Sequence, residues 1–411
     1  MTDPVVVAGG GPVGLAAAAE LAERGVEVVV FERGATAGAA VAEWGHVRLF
    51  SAWPELVAPA ARRLLTPSGW APPPDDVYPT GAEWVRDYLE PLAAALGDRV
   101  RTGAEVVGAA RRDGESLTVH VRHADGREER VRARGLIDAT GTWTRPNPLG
   151  GDGLPALGER AAAAAGRIGY RIPVASPGGH VVVAGNGHSA LTALVSLTSR
   201  NSDTSVTWLL RRGGIGDTFG GGAADELPAR GRLGDRARAA VEAGGVRVLT
   251  GFRTAEVHTD ADGRLTLVAA DGRSVGAVDH VLALTGLRPD LSWLSELRLE
   301  LDPVVQAPVR LAPLIDPAVH SCGTVPPHGV RELAHPEPGV YLAGMKSYGR
   351  APTFLALTGY EQVRSIAAAF AGDHAAAERV ELTLPETGVC GGSGGSGCCE
   401  PELIQLTARV P

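Results

Sequence analysis

The sequence has little of several features that mark common classes of protein. It has four cysteines in 411 residues, too few for a disulfide scaffold, and aromatic residues make up 5%. No uninterrupted apolar run reaches the roughly 18 residues of a membrane span, and the sequence contains no block of basic residues. The lack of an apolar run predicts a cytoplasmic protein. A net charge of −8 argues against nucleic acid or an anionic membrane as its main partner.

Two scarce residue types occur at particular places. The sequence has 39 basic residues, and Lys346 is the only lysine among them. Three of the four cysteines, Cys390, Cys398 and Cys399, fall in one glycine-rich segment, and Cys322 stands alone. Neither Cys-x-x-Cys nor Cys-x-x-x-x-Cys occurs anywhere in the chain. The sequence therefore lacks the patterns typical of a redox-active cysteine pair.

A glycine-rich motif follows the first predicted strand. The apolar run 5–8 predicts a strand buried on both faces, an alanine-rich helix follows, and the next strand, 26–31, ends in an acid. The first glycine permits a tight turn, the second lets a pyrophosphate approach the backbone, and the third lets the helix pack closely. The acid can accept a hydrogen bond from a ribose hydroxyl. The residues expected at this first dinucleotide site are Gly9, Gly11, Gly14 and Glu32.

The same order of strand, glycine turn, helix and strand returns later in the chain. Residues 181–184 and 205–210 predict two strands, and the second strand ends at two arginines instead of an acid. A guanidinium pair suits a 2′-phosphate, so NADPH is favoured over NADH. A histidine in the first turn of the helix is a candidate contact for the nicotinamide ribose. The residues expected at this second site are Gly185, Gly187, His188, Ser189, Ala190, Arg211 and Arg212.

Other segments give a coarser prediction. Segments 116–122 and 265–270 predict strands, each followed by an Asp-Gly turn. A helical pattern covers 83–96, where Pro91 is expected to kink or divide the helix. The glycines of 213–222 predict a mobile loop after the second nucleotide unit.

Two dinucleotide units in one chain suggest a flavin together with a nicotinamide. The sequence here resembles the flavoproteins with two dinucleotide-binding domains, which include thioredoxin reductase, mercuric reductase and the flavin-containing monooxygenases. Segments 137–141 and 282–289 resemble the places where the chain of that family crosses between its domains, and 339–344 resembles the strand that returns under the flavin. The resemblance implies an α/β fold with two doubly wound, Rossmann-like domains. It implies an FAD domain of residues 1–172 and 290–372, an inserted NADPH domain of residues 173–289, and a flexible tail, 373–411.

The chain departs from this family after the returning strand. The family usually has an aspartate there, which holds the ribityl chain of FAD, whereas this sequence has Met345 and Lys346 after Gly344. The resemblance implies that Gly344 and Met345 contact FAD. It also implies that Lys346 lies near the pyrimidine ring, where a cation favours the negative charge of the reduced flavin.

Four segments together resemble the flavin monooxygenases of arsenic-resistance operons: 43–51, 320–325, 345–354 and the cysteine tail. That resemblance implies NADPH-dependent oxidation, with FAD and molecular oxygen, of a trivalent organoarsenical such as methylarsenite to methylarsenate. Thiolates bind soft ions of this kind. The implied catalytic residues are Trp44, His46, Cys322 and Lys346; Arg48 is an implied cofactor contact, and Cys390, Cys398 and Cys399 are implied arsenic or soft-metal ligands.

Two other functions stay open at this point. One is a thiol or metal reductase that passes electrons to the tail cysteines and works without oxygen. The other is a flavin-bearing arsenic or metal sensor or carrier, which would bind stoichiometrically and consume little NADPH. The sequence also leaves a homodimer open.

Overall fold

A computed structural model describes residues 3–112, 116–198, 204–216, 218–222, 225, 227–316, 325–351 and 354–382. All four cysteines lie outside these ranges, so the roles predicted for Cys322, Cys390, Cys398 and Cys399 stay predictions. Within these ranges, none of the helices combines the length and the apolar character that crossing a membrane requires.

The elements alternate along the chain as expected for an α/β protein. The strands are β1 Val5–Ala8, β2 Val28–Phe31, β3 Val100–Arg101, β4 Ala104–Ala110, β5 Leu117–His123, β6 Glu128–Ala133, β7 Gly135–Asp138, β8 Ile168–Gly169, β9 His180–Ala184, β10 Ser205–Leu209, β11 Val246–Leu249, β12 Thr254–Thr259, β13 Leu265–Ala269, β14 Ser274–Val278, β15 His280–Ala283 and β16 Val340–Leu342. The helices are α1 Pro12–Glu23, α2 Ala39–Ala42, α3 Trp53–Leu56, α4 Pro59–Leu65, α5 Gly81–Trp84, α6 Glu90–Leu96, α7 Glu159–Ala164, α8 His188–Thr198, α9 Pro228–Glu242, α10 Ala312–Ile315, α11 Val330–Leu333, α12 Ala356–Phe370 and α13 His374–Glu378.

Two parallel five-stranded sheets form the centre of the fold. The first has the strand order β16-β7-β1-β2-β3, so the first and the last strand of the chain lie in the same sheet, on either side of β7. The second has the order β11-β10-β9-β15-β8. The central strands β1, β7 and β9 are almost wholly buried, which explains their continuous apolar runs. The predicted α/β fold with two Rossmann-like units is confirmed.

Two antiparallel three-stranded sheets, β4-β5-β6 and β12-β13-β14, complete the architecture. Strands β5 and β13 occupy the segments that the sequence predicts as strands. Strand β8 pairs with β15 in the second sheet, a few residues before the predicted start of the inserted domain at residue 173. The domain boundaries stay predictions.

The helical segment containing Pro91 differs from the sequence prediction. Helices α5 and α6 run into each other through a π turn at Val85–Leu89, with no break at Pro91. Proline has no N–H to donate to the carbonyl one turn earlier, at Asp87. That carbonyl instead accepts a hydrogen bond of 2.9 Å from Trp70 Nε1. The wider π turn accommodates the proline, and the freed carbonyl keeps a partner.

The described part of loop 213–222 is anchored, unlike the mobile loop that its glycines predict. Phe219 is buried, with its ring centroid 5.8 Å from that of Trp208 and the Arg238 guanidinium 5.2 Å from its centroid. The loop lies directly on α9, because a Cβ added at Gly234 would fall 1.8 Å from the Phe219 carbonyl oxygen. Small residues on the helix therefore fix the loop, a contact that composition does not reveal.

Candidate cofactor and active site

The first glycine turn combines close packing with one open position. Gly9 has a φ of +99°, and a Cβ there would lie 2.7 Å from the Ala139 carbonyl oxygen. A Cβ at Gly14 would lie 1.9 Å from the carbonyl oxygen of Gly9. By contrast, no atom lies within 4 Å of a Cβ added at Gly11. This opening at the N-terminus of α1 fits a pyrophosphate, which the free N–H groups and the helix dipole stabilise.

Glu32 is fixed beside this turn at the end of β2. One carboxylate oxygen accepts a hydrogen bond of 2.6 Å from the Gly10 N–H, and the other accepts one of 2.6 Å from the Gly34 N–H. An ionised carboxylate can accept about four hydrogen bonds. The remaining lone pairs can accept from ribose hydroxyls, as the sequence predicts for this acid.

The turn Gly344–Tyr348, which follows β16, meets the first glycine turn at Val13. A Cβ added at Gly344 would lie 3.1 Å from Val13 Cγ2, and one added at Gly359, near the start of α12, would lie 2.6 Å from the same atom. Met345 is half-buried, and the other side chains of this turn are buried. The structure therefore brings Gly344, the N-terminal end of α12 and the N-terminal end of α1 together. The FAD contacts implied for Gly344 and Met345 stay predictions.

Lys346 is buried in an ion pair. Its side chain is 1% exposed, and Nζ lies 3.0 Å from Asp138 Oδ2, whose side chain is 0% exposed. Nζ also donates to Thr140 Oγ1 at 2.8 Å, and that hydroxyl donates to Asp138 Oδ1 at 2.7 Å. Sequence reasoning missed Asp138 as a site residue. The available signal was a lone acid at the end of a buried strand in a chain with a single lysine.

The segment after α2 carries three further predicted site residues. Trp44 is half-buried and packs on Gly81, where an added Cβ would lie 2.8 Å from Trp44 Cε3. His46 and Arg48 are exposed. Arg48 donates to the Tyr78 carbonyl, and its Nη1 lies 3.7 Å from Glu83 Oε2. The contacts of Arg48 are thus local ones, and the catalytic and cofactor roles of these residues stay predictions.

The second glycine turn repeats the geometry of the first. Gly185 has a φ of +126°, and a Cβ there would lie 2.1 Å from the Leu284 carbonyl oxygen, whereas the space at Gly187 is open. Trp208, on the following strand, donates a hydrogen bond of 2.7 Å from Nε1 to the Gly185 carbonyl. Sequence reasoning missed this tryptophan, because only the tertiary structure brings it to the turn. Ala190 is buried in α8, and Ser189 is exposed.

His188, a predicted residue of the second cofactor site, contacts the segment that carries Trp44. Its ring centroid lies 5.1 Å from that of Phe50, which belongs to the same segment as Trp44. Burial lowers the pKa of His188, and the nearby Arg230 lowers this pKa further, against an opposing effect of Asp225. The imidazole is therefore neutral at neutral pH. It can take part in hydrogen bonding to a ribose without adding a charge to the site.

Arg211 and Arg212 follow β10 directly and are exposed. Across the parts of the chain that the structure describes, neither guanidinium forms an ion pair within 4.0 Å of a carboxylate. Both arginines are accordingly available for an anion. Within the same parts, no group of three or more His, Cys, Asp and Glu residues is placed to hold a metal ion.

Comparison with known proteins identifies a family of oxidoreductases and a related monooxygenase. Residues 3–310 match the family described as pyridine nucleotide-disulphide oxidoreductase. Indole-3-pyruvate monooxygenase YUCCA1 from Oryza sativa subsp. japonica is 31% identical over 203 residues, which cover 49% of this chain and 46% of that protein. The chain thus spans about half the length of this curated relative.

Solved structures share the fold over most of the chain. The bacillithiol disulfide reductase Bdr from Bacillus cereus has a TM-score of 0.71 and 22% identity, covering 90% of this chain and 99% of that one. A flavin-containing monooxygenase from Stenotrophomonas maltophilia has a TM-score of 0.57 and 23% identity, with coverage of 90% and 99%. At these identities, the likeness shows the fold.

Proposed function

Because the chain belongs to the pyridine nucleotide-disulphide oxidoreductase family, we propose that it is an NADPH-dependent FAD monooxygenase of a soft trivalent substrate. The substrate proposed is a trivalent organoarsenical, with methylarsenite oxidised to methylarsenate. The enzyme is a flavin-dependent oxidoreductase that uses FAD and NAD(P)H, and the resemblance to such flavoproteins is confirmed. The preference for NADPH, the arsenical and a cytoplasmic location belong to the proposal.

The absence of the two cysteine patterns typical of flavin-linked disulfide reductases carries the proposal. Neither Cys-x-x-Cys nor Cys-x-x-x-x-Cys occurs in the chain, so the patterns that pass electrons from a flavin to a disulfide are missing. Oxygen is therefore the electron acceptor that we propose for this protein. Two relatives support oxygen as the electron acceptor, because their names describe them as monooxygenases. They come from Oryza sativa and Stenotrophomonas maltophilia.

The residues of the chain bind and orient the two cofactors. When bound, FAD supplies the chemistry that takes a hydride from NADPH and activates oxygen. The turn at Gly11 and the carboxylate of Glu32 hold the pyrophosphate and a ribose, and the arginines after β10 hold a 2′-phosphate. The half-buried ring of Phe50 packs against the neutral imidazole of His188 and orients it.

The overall reaction balances with oxygen as the oxidant. Methylarsenite, O₂, NADPH and a proton give methylarsenate, NADP⁺ and water. One oxygen atom enters the new As=O bond, and the other is reduced to water with the two electrons from NADPH. The lone pair of trivalent arsenic is the nucleophile, and the three tail cysteines are proposed to capture the arsenical through its affinity for thiolates.

Turnover with and without oxygen tests the proposal. Purified protein should oxidise NADPH faster when methylarsenite is added in air, and this stimulation should vanish without oxygen. Unchanged stimulation under anaerobic conditions would overturn the monooxygenase proposal. Tight stoichiometric binding of methylarsenite with negligible NADPH consumption would instead favour a sensor or carrier.

A reductase is the second candidate function. The likeness to the disulfide reductase Bdr, with a TM-score of 0.71, favours it. Replacing Cys398 and Cys399 together by serine separates the two functions. If the tail captures substrate, the variant should need more methylarsenite for the same rate and keep its maximal rate. If the tail is the electron acceptor, turnover should be abolished.

A further inference from the structure

The turn Gly344–Tyr348 is held on one side by the ion pair of Lys346. The ammonium group contacts Asp138 Oδ2 at 3.0 Å and Thr140 Oγ1 at 2.8 Å, and the Trp293 ring centroid lies 5.7 Å away. Asp138 is the last residue of β7, and Thr140 touches the first glycine turn, since a Cβ at Gly9 would lie 3.0 Å from its Cα. The pair therefore ties this turn to the crevice beside the first glycine motif.

A second buried network holds the same turn from the side of α12. Gln362 accepts from the Gly344 N–H at 2.7 Å through Oε1 and donates to Ser347 Oγ at 2.9 Å through Nε2. Ser347 Oγ in turn donates to the Gly344 carbonyl at 2.7 Å. Gln362 Nε2 also lies 2.8 Å from His328 Nε2. Burial lowers the pKa of His328, and Nδ1 of the neutral ring lies 3.0 Å from the Pro326 carbonyl, to which it donates, so Nε2 is the acceptor. The turn has little freedom to move between these two networks.

The ion pair changes what Lys346 can do. Its charge is balanced by a fully buried carboxylate, with Nζ 3.0 Å from Asp138 Oδ2, and the ammonium donates a hydrogen bond of 2.8 Å to Thr140 Oγ1. Removing one member of such a pair leaves an unpaired charge in a medium of low dielectric constant, which is far less favourable than removing both. The two residues thus act as one unit.

We propose that Lys346 is a positioning residue: paired with Asp138 and Thr140, it fixes the turn Gly344–Tyr348 in the shape that binds FAD. Its ammonium then shapes the flavin site through Asp138 and Thr140, in place of presenting a free cation to the flavin ring. This inference requires only the FAD binding of the family and is independent of the arsenical. Loss of arsenical turnover alone therefore leaves it standing.

The single lysine allows a direct chemical test. An amine-acetylating reagent can react with only two kinds of primary amine in this chain, the α-amino group and Lys346. Peptide mass spectrometry should find Lys346 protected in the native protein with FAD bound and with FAD removed, and reactive after unfolding. Rapid acetylation of Lys346 in folded protein without FAD, with protection only when FAD is bound, would overturn the proposal.

A double-mutant cycle tests the coupling. Lys346→Met and Asp138→Asn should each weaken FAD binding at least tenfold, measured by flavin fluorescence. The double variant should lose less FAD affinity than the two single losses combined, because it buries no unpaired charge, but it should still bind FAD more weakly than the unmodified protein, because the turn has lost its anchor. The reduction potential of its flavin should also stay unchanged. Failure of Asp138→Asn to weaken binding, or a potential shifted in every variant that lacks Lys346, would contradict the proposal.

A remote buried carboxylate provides the control for a general loss of stability. Glu159 is 1% exposed and accepts hydrogen bonds from Tyr170 Oη and from the N–H groups of Leu149 and Ala156. Glu159→Gln should lower the melting temperature and leave the FAD dissociation constant unchanged. If this variant weakens FAD binding as much as Lys346→Met, the role of Lys346 is merely structural.

Discussion

The two glycine-rich turns follow one backbone plan and differ in what surrounds them. At the first turn, the Glu32 carboxylate accepts from the N–H groups of Gly10 and Gly34, so an acid is held in place beside the open position. At the second turn, the Trp208 indole donates to the Gly185 carbonyl, and Arg211 and Arg212 are exposed after the strand. The first site is thus built around a fixed acceptor, and the second presents free cations.

This difference explains how the same unit of strand, glycine turn and helix can bind two different dinucleotides. A fixed carboxylate selects ribose hydroxyls and repels a phosphate at the same place, which suits FAD. Exposed guanidinium groups attract a 2′-phosphate, and this is the contact that we propose favours NADPH over NADH. In the function that we propose, the backbone geometry of each glycine turn accommodates a dinucleotide, and the charged side chains beside the turn select which dinucleotide binds.

The largest expected effect comes from Gly14→Ala. The second turn has an alanine, Ala190, at the matching position and so provides the control. The new Cβ would lie 1.9 Å from the Gly9 carbonyl oxygen, and overpacking costs about 1–3 kcal/mol and occasionally more. The purified variant should lose bound FAD, measured by visible absorbance, together with thermal stability. The matched change Ala190→Gly should cost about 1 kcal/mol of helix stability and keep NADPH binding. Equal FAD content in Gly14→Ala and the unmodified protein would show that the first turn does not need glycine at this position.

The second prediction concerns the acid of the first turn. Glu32→Ala removes the carboxylate proposed to accept from a ribose hydroxyl, and hydrogen bonds to charged groups contribute about 1.5–3 kcal/mol. The FAD dissociation constant should rise roughly 10- to 100-fold, measured by fluorescence titration. The exposed Glu27, before β2, is the matched control, and Glu27→Ala should leave FAD affinity unchanged. An unchanged affinity in Glu32→Ala would remove the acid from the site.

The third prediction addresses the charge at the second turn. Replacing Arg211 and Arg212 together by alanine should lower kcat/KM for NADPH roughly 10- to 100-fold, because charge-assisted hydrogen bonds contribute about 1.5–3 kcal/mol. The value for NADH should stay nearly constant, so the ratio of the two is the decisive measurement. The control is Arg236→Ala, which removes an exposed arginine of α9. An equal loss with NADH would show that these arginines do not read the 2′-phosphate.

The smallest expected effect tests the indole that supports the second turn. Trp208→Phe removes the hydrogen bond to the Gly185 carbonyl, worth about 0.5–1.5 kcal/mol, and should raise KM for NADPH roughly 2- to 10-fold with FAD affinity unchanged. Trp70→Phe removes a comparable indole bond to the Asp87 carbonyl, away from both turns. It should lower stability and leave KM unchanged. Identical kinetics of the two variants would show that Trp208 does not position the turn.

The parts of this protein that depend on neighbouring residues could be predicted from sequence. Strands β1 and β9, helices α1 and α8 and the two glycine turns follow from short apolar runs and motif spacing. The position of Glu32 beside the first turn follows in the same way, because a strand of known direction carries it there. These features are local, so their physical causes are visible in a few consecutive residues.

Features that depend on distant residues could not be predicted. Lys346 and Thr140 are 206 residues apart in the chain, and the only sequence signal for their contact is a lone acid, Asp138, at the end of a buried strand in a chain with a single lysine. The anchoring of Phe219 depends on the small residues of α9, and the π turn near Pro91 depends on an indole from another segment. Each needs the tertiary structure, since the partner that stabilises it is supplied by a different part of the fold.

The stoichiometry of a single reaction tests the central claim most directly. An oxygen electrode, NADPH absorbance and arsenic speciation can be followed together while the FAD-loaded enzyme oxidises methylarsenite. The proposed function predicts one O₂ and one NADPH consumed for each methylarsenate formed, and no turnover without oxygen. NADPH consumption that continues without oxygen, or proceeds in air with no methylarsenate formed, would contradict it.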